Sequence, residues 1–167
     1  PEQVEVIRRA MFGVTQEGTS TRVFLGASYQ SGGKTGTAQA KSIGQNEKYN
    51  AARMSEYLRD HSLYTAFAPV DAPRIALAVI VENSGFGAEA AAPIARRVLD
   101  YALLGQYPSE EDVALVRKGQ AASPVGAARA AGAVPLPAVL VVSAGAPEAA
   151  AASASSAVTA ASASAPV

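Results

Sequence analysis

Six consecutive residues, Gly33-Lys34-Thr35-Gly36-Thr37-Ala38, hold the densest chemistry in this sequence. One ammonium and two hydroxyls sit beside glycines that let another molecule approach the backbone closely. A phosphate-binding loop also ends in Gly-Lys-Thr. It needs a further glycine at position 28, where this chain has Ser28, and a helix beginning at the lysine, which Thr35-Gly36-Thr37 opposes. A serine nucleophile with a lysine base would be Ser31-Gly-Gly-Lys34. That pairing works when serine opens a helix and one turn brings the amine beside the hydroxyl. An extended Gly-rich run puts the two side chains on opposite faces instead. The third option is an edge strand walling a cleft, with Lys34 and Gly36 on one face and Thr35 and Thr37 on the other. Lys34 then places positive charge near an anionic substrate, and Gly36 leaves room for substrate along the strand. The two threonine hydroxyls donate to an anion, and the Thr37 N–H faces a developing oxyanion.

The rest of the composition narrows the chemistry. The 167 residues carry 14 basic and 14 acidic side chains, so no net charge favours nucleic acid or an acidic membrane. Cysteine is absent, which excludes disulfides, thiolate metal sites and a cysteine nucleophile. The single histidine, His61, has no serine or carboxylate pair spaced to serve it and reads as a structural or surface residue. No metal-ligand pattern is present and no cofactor is called for.

The elements around the motif follow from periodicity. Val4 to Met11 reads as the end of a helix stopped by Gly13, and Thr15 to Leu25 as a polar loop or short extended piece. Tyr29 to Ala40 is Gly/Thr-rich and reads as an extended edge strand; Lys41 to Arg59 reads as a loop with a short helix. Leu63 to Ala68 and Arg74 to Glu82 are strands joined by a tight turn at Asp71-Ala-Pro73, which predicts an antiparallel pair. Both faces of the second strand are apolar, so it is expected at the centre of the sheet. Ala88 to Leu104 is a helix with Ile94, Val98 and Tyr101 on one stripe and Gly105 at its end. Arg96-Arg97 and Glu110-Glu-Asp112 read as solvated charge. From about Ala121 the chain is Ala, Ser, Pro, Val and Gly with two charges, Arg129 and Glu148, and reads as disordered. Its one apolar run, Ala133 to Val142, is too short and too proline-rich to span a bilayer. The chain starts at Pro1 with a helical pattern under way and no secretory leader pattern, which suggests a piece of a longer protein.

The run Gly32 to Gln39 resembles the third motif of the class B penicillin-binding proteins. So do Tyr49-Asn50, Leu58 to Pro69 (LRDHSLYTAFAP), Arg74 to Asn83 (RIALAVIVEN), the glycine-containing loop after it, and Ala91 to Tyr101 (AAPIARRVLDY). The Arg59 to Phe67 stretch favours the elongation-specific members. The resemblance covers about residues 1–107. It implies an α+β fold, the C-terminal part of a penicillin-binding transpeptidase (serine β-lactamase-like) domain, with an antiparallel sheet covered by helices. Residues 108–120 are then a linker and 121–167 a low-complexity tail. An isolated part of such a sheet would leave a strand edge unpaired and dissolve poorly.

The resemblance further implies a peptidoglycan D,D-transpeptidase at the periplasmic face of the bacterial inner membrane. Such an enzyme cross-links stem peptides through an acyl-serine and is blocked by β-lactams. Lys34 would belong to the active-site hydrogen-bond network, Thr35, Gly36 and Thr37 to substrate binding, and the Thr37 N–H to the oxyanion hole. Elongation-complex membrane proteins, including a glycosyltransferase, are the implied partners. The family's two other motifs, Ser-x-x-Lys opening a helix and Ser-x-Asn, precede Lys-Thr-Gly in the chain. No Ser-x-Asn occurs here, so the chain by itself is expected to be inactive. The alternatives are a non-catalytic module of the same fold, or part of a septal transpeptidase, a D,D-carboxypeptidase or a β-lactamase.

Overall fold

In the computed structural model, residues 2–42 and 48–134 are described. The expected loop at Lys41 to Arg59 lies partly outside them, and the tail beyond residue 134 wholly so. Three strands form one antiparallel sheet in the order β1-β2-β3: β1 (Gly32–Ala38), β2 (His61–Ala68) and β3 (Ile75–Val81). Gly36 stands opposite Leu63, and Leu63 opposite Ile80. The hairpin between β2 and β3 forms where the Pro/Asp turn signal predicts it.

The central strand is β2, not β3 as its apolar pattern suggests. Apolarity on both faces says what a strand can bury, whereas the connection decides its neighbours. The hairpin puts β3 on one side of β2, and the longer return through residues 39–60 puts β1 on the other. Ile80, on the face of β3 opposite the one that packs on the core, is 65% exposed.

Helix α1 (Glu2–Gln16) lies against β1 and runs through Gly13 instead of stopping there. After a turn, the short helix α2 (Thr21–Phe24) occupies what the polar composition suggested was a loop. Residues 51–53 and 56–58 form single 3₁₀ turns. Helix α3 (Ala91–Leu104) ends at the left-handed Gly105 and covers β2 and β3. Its buried side is Ala91, Ala92, Ala95 and Leu99, packed on Tyr64, Ala66, Ala68, Val23 and Phe24. Small side chains let this helix lie close to the strands. The expected apolar stripe falls elsewhere: Val98 and Tyr101 are each about two-fifths exposed.

The reading of Arg96-Arg97 as solvated is corrected. They are 5% and 7% exposed. About 100° apart on the helix, they reach different flanks. Arg96 forks onto Asp100 through Nε (2.8 and 3.0 Å), and its Nη1 donates to the Val23 carbonyl at 3.1 Å. Tyr29 Oη donates to the same carboxylate at 2.7 Å, and the guanidinium lies 5.8 Å from both the Phe24 and Tyr29 ring centres. Burial, then the hydrogen bond to Asp100, pushes the Tyr29 phenol well above its ordinary pKa.

Arg97 corrects the linker expectation for 108–120. That segment contains helix α4 (Glu110–Arg117), capped by Ser109, whose Oγ accepts from the Asp112 N–H at 3.0 Å. Asp112 has no exposed surface, against the expectation of a solvated run. It takes Arg97 Nη2 at 2.6 Å and Nε at 2.9 Å, while Arg97 Nη1 donates to the Ala122 carbonyl at 2.7 Å. Residues 121–134 are engaged as well. Val125 N donates to Asp112 at 3.1 Å, and β5 (Arg129–Ala130) pairs with β4 (Gln106–Tyr107). Composition missed this segment because its order comes from backbone groups and one carboxylate, not from apolar bulk.

Candidate functional site

Among the described residues β1 has a strand neighbour on one side only, so the Lys-Thr-Gly run lies on an edge, as its glycine and threonine content predicts. Register gives the two faces. Gly33, Thr35 and Thr37 stand opposite Ala66, Tyr64 and Ser62, on the face covered by α3. Gly32, Lys34 and Gly36 stand opposite Phe67, Thr65 and Leu63. Lys34 and Thr37 are exposed, and Thr35 and Gly36 half-buried. The strand therefore presents one cation, two hydroxyls and an open backbone edge together. Lys34 Nζ lies over its own strand and donates to the Thr35 carbonyl at 2.6 Å.

Residues not singled out in the sequence hold this strand in place. Thr15 Oγ1 donates to the Ser31 carbonyl at 2.7 Å, tying the end of α1 to the residue before β1. The Thr19 and Thr35 hydroxyls are 3.1 Å apart, and those of Ser20 and Tyr64 2.8 Å. The phenol of Tyr64 occupies the space beside Gly33, which is why that position carries no side chain. Tyr64 is 1% exposed, and its ring stacks on Phe24 with centres 6.0 Å apart. Burial pushes its pKa up to about 12, with the Ser20 bond opposing. The only advance signal was the run of hydroxyls at Thr15, Thr19 and Ser20, all within the expected loop.

Ser31 is 2% exposed, so its Ser-x-x-Lys match places no accessible nucleophile. His61 is structural, its Nδ1 accepting from the Asn83 N–H at 3.0 Å where β3 ends. Tyr64 belongs to the core and Tyr57 is 71% exposed. Tyr49 Oη accepts from the Asp60 N–H at 3.1 Å. Among the described residues no group of acidic or histidine side chains is arranged to hold a metal.

An antiparallel three-stranded sheet backed by helices is the α+β arrangement expected of part of a penicillin-binding transpeptidase domain. The penicillin-binding protein transpeptidase domain family matches residues 1–100, and the chain belongs to it. The relatives are specific. The peptidoglycan D,D-transpeptidase MrdA of Haemophilus influenzae is 44% identical over 109 residues, covering 64% of this chain and 17% of that protein. MrdA of Acinetobacter baumannii is 51% identical over 98 residues, covering 59% and 14%. The crystal structure of Pseudomonas aeruginosa PBP2 in complex with WCK 5153 superimposes with a TM-score of 0.51 at 34% identity, covering 62% of this chain and 20% of that one. The chain thus spans about a sixth of the length of the curated relatives it matches. The last residues of α3 and all of β4, α4 and β5 follow the residues that the family matches.

Proposed function

We propose that this chain is the Lys-Thr-Gly-bearing part of an elongation-type peptidoglycan D,D-transpeptidase. One observation carries the reading: Lys34, Thr35, Gly36 and Thr37 lie on a sheet edge in a chain of the penicillin-binding transpeptidase family. A donor stem peptide lies along that edge and pairs with its backbone. The Thr35 and Thr37 hydroxyls donate to the carboxylate of its terminal D-alanine, and Lys34 keeps the local field positive. A serine supplied by the rest of the enzyme attacks the penultimate carbonyl. The Thr37 N–H and the N–H of that serine stabilise the oxyanion. The terminal D-alanine leaves, and the amine of a second stem peptide takes the acyl group. A β-lactam enters by the same route and stays on the serine.

Ser31 is too deeply buried to be that serine, and no Ser-x-Asn occurs, so the chain alone is inactive. The enzyme works at the periplasmic face of the inner membrane, among elongation-complex membrane proteins including a glycosyltransferase. No described helix is long and apolar enough to cross a membrane. Fluorescent penicillin tests the reading. The full-length protein carrying this segment should be labelled covalently, and Lys34→Ala should slow labelling by about 10²- to 10³-fold, the scale of one lost transition-state contact. The purified 167-residue chain should not be labelled. Labelling at Ser31 would overturn the proposal.

A further inference from the structure

The loop between β3 and α3 comes into direct contact with the Lys-Thr-Gly strand at Gly87. A Cβ built on Gly87 would stand 2.7 Å from the Gly36 carbonyl oxygen and 3.0 Å from the Gly36 nitrogen, and would also collide with the Leu63 carbonyl oxygen. Gly36 and Leu63 face each other in the β1–β2 ladder. All three obstacles are backbone atoms, so no rotamer change relieves the contact. The backbone angle of Gly87 is not in the left-handed region, unlike that of Gly85 (φ +80°). Close approach, not conformation, demands glycine at position 87.

The loop itself has little room to retreat. The Gly87 carbonyl accepts from the Ala92 N–H at 2.8 Å, in the first turn of α3. Its neighbour Phe86 accepts at its carbonyl from Ser62 Oγ at 3.0 Å, and the same Oγ accepts from the Ala91 N–H at 3.0 Å. Helix α3 is pinned in turn by Arg96, which donates to the Val23 carbonyl, and by Arg97, which pairs with Asp112. The strand is the softer side at Gly36: among the described residues β1 has one strand neighbour, and the ties from Thr15 and Thr19 reach it at Ser31 and Thr35, short of Gly36.

We propose that Gly87 is a positioning residue for the transpeptidase site: its bare backbone seats Gly36 and thereby sets where the Thr37 N–H stands. This rests on the proposed function for its catalytic consequence, but not for its geometric one. Any side chain at position 87 pushes β1 outward at Gly36, one residue before the oxyanion donor.

The test uses the full-length protein carrying Gly87→Ala, with Gly132→Ala as control, because a Cβ at Gly132 meets nothing within 4 Å. Two readouts are taken: the acylation rate at saturating fluorescent penicillin, and the amide ¹H–¹⁵N shifts of Gly36 and Thr37 after selective labelling. In Gly87→Ala, acylation should fall about 10- to 100-fold, the scale of a sub-ångström to 1 Å misplacement, while penicillin affinity before acylation changes much less. Both amides should shift, and Gly132→Ala should match wild type in both readouts. Wild-type acylation with unmoved amides in Gly87→Ala overturns the proposal. If the wild-type protein is not acylated at all, the functional reading fails. The amide shifts then judge the seat by themselves, moving if it exists and staying still if it does not. Should Gly87→Ala fail to fold, Ser62→Ala unties the same loop. It should shift both amides and slow acylation several-fold, and its silence in both readouts overturns the proposal.

Discussion

Replacing Asp112 by asparagine tests how helix α4 is held to α3. The side chain keeps its size and loses its charge. Arg97, 7% exposed, is then a buried cation facing neutral acceptors, the carbonyls of Pro93 and Ala122. The bidentate grip at 2.6 and 2.9 Å is gone, and the Val125 N–H loses its charged acceptor. Removing one member of a buried pair costs about 3–5 kcal/mol, because the partner's desolvation is no longer offset. At about 1.4 kcal/mol per factor of ten, the opening of α4 should rise about 10²- to 4 × 10³-fold. Native-state hydrogen exchange at the amides of Val113 and Lys118, which close turns of α4, reads that change directly. Amides of β2 should change far less. The double variant Arg97→Met/Asp112→Leu supplies the contrast: with both charges replaced by apolar groups, exchange should return to within about tenfold of wild type. An Asp112→Asn protein whose α4 amides exchange at the wild-type rate would refute the reasoning, and so would a double variant as open as the single one.

Two further outcomes follow from the core. Leu99 has no exposed surface, and Leu99→Ala should lower unfolding free energy by about 2–5 kcal/mol in urea titrations; a loss under about 1 kcal/mol would mean that α3 is loosely seated. The Tyr64 phenol is raised from 10.0 to about 12 by burial, so the folded state holds its proton where the unfolded chain releases it. Its contribution is therefore complete below pH 10 and lost as pH rises from about 10 to about 12, a slope that Tyr64→Phe should flatten in pH-dependent unfolding.

The motif and the hairpin were legible because both are local. Gly32 to Ala38 reads as an extended edge from its own glycines and threonines, and the β2–β3 turn from Asp71 and Pro73. The register faces of Lys34 and Thr35 also came from alternation alone. Helix α3 was found at nearly its observed bounds, but not its buried side. Periodicity marked Ile94, Val98 and Tyr101, whereas the structure buries alanines and two arginines. Helical period says which residues share a face, and only partners elsewhere say which face wins.

Those partners are distant in the chain. Arg97 meets Asp112 fifteen residues on, Arg96 meets the Val23 carbonyl seventy-three residues back, and the Tyr64 phenol meets Ser20 across forty-four. A charge reads as solvated from its own neighbourhood, because the group that offsets its desolvation is not there. The same holds for Gly87, which reads as one more loop glycine until folding brings Gly36 against it. By itself the sequence determined the Lys-Thr-Gly strand and the elements beside it, since propensity, turn chemistry and alternation act over a few residues, while the family showed in the likeness of whole runs to known proteins. Tertiary structure alone decided which strand is central, which charges are buried and which glycine seats the motif, because those are contests for space and partners between segments far apart in the chain.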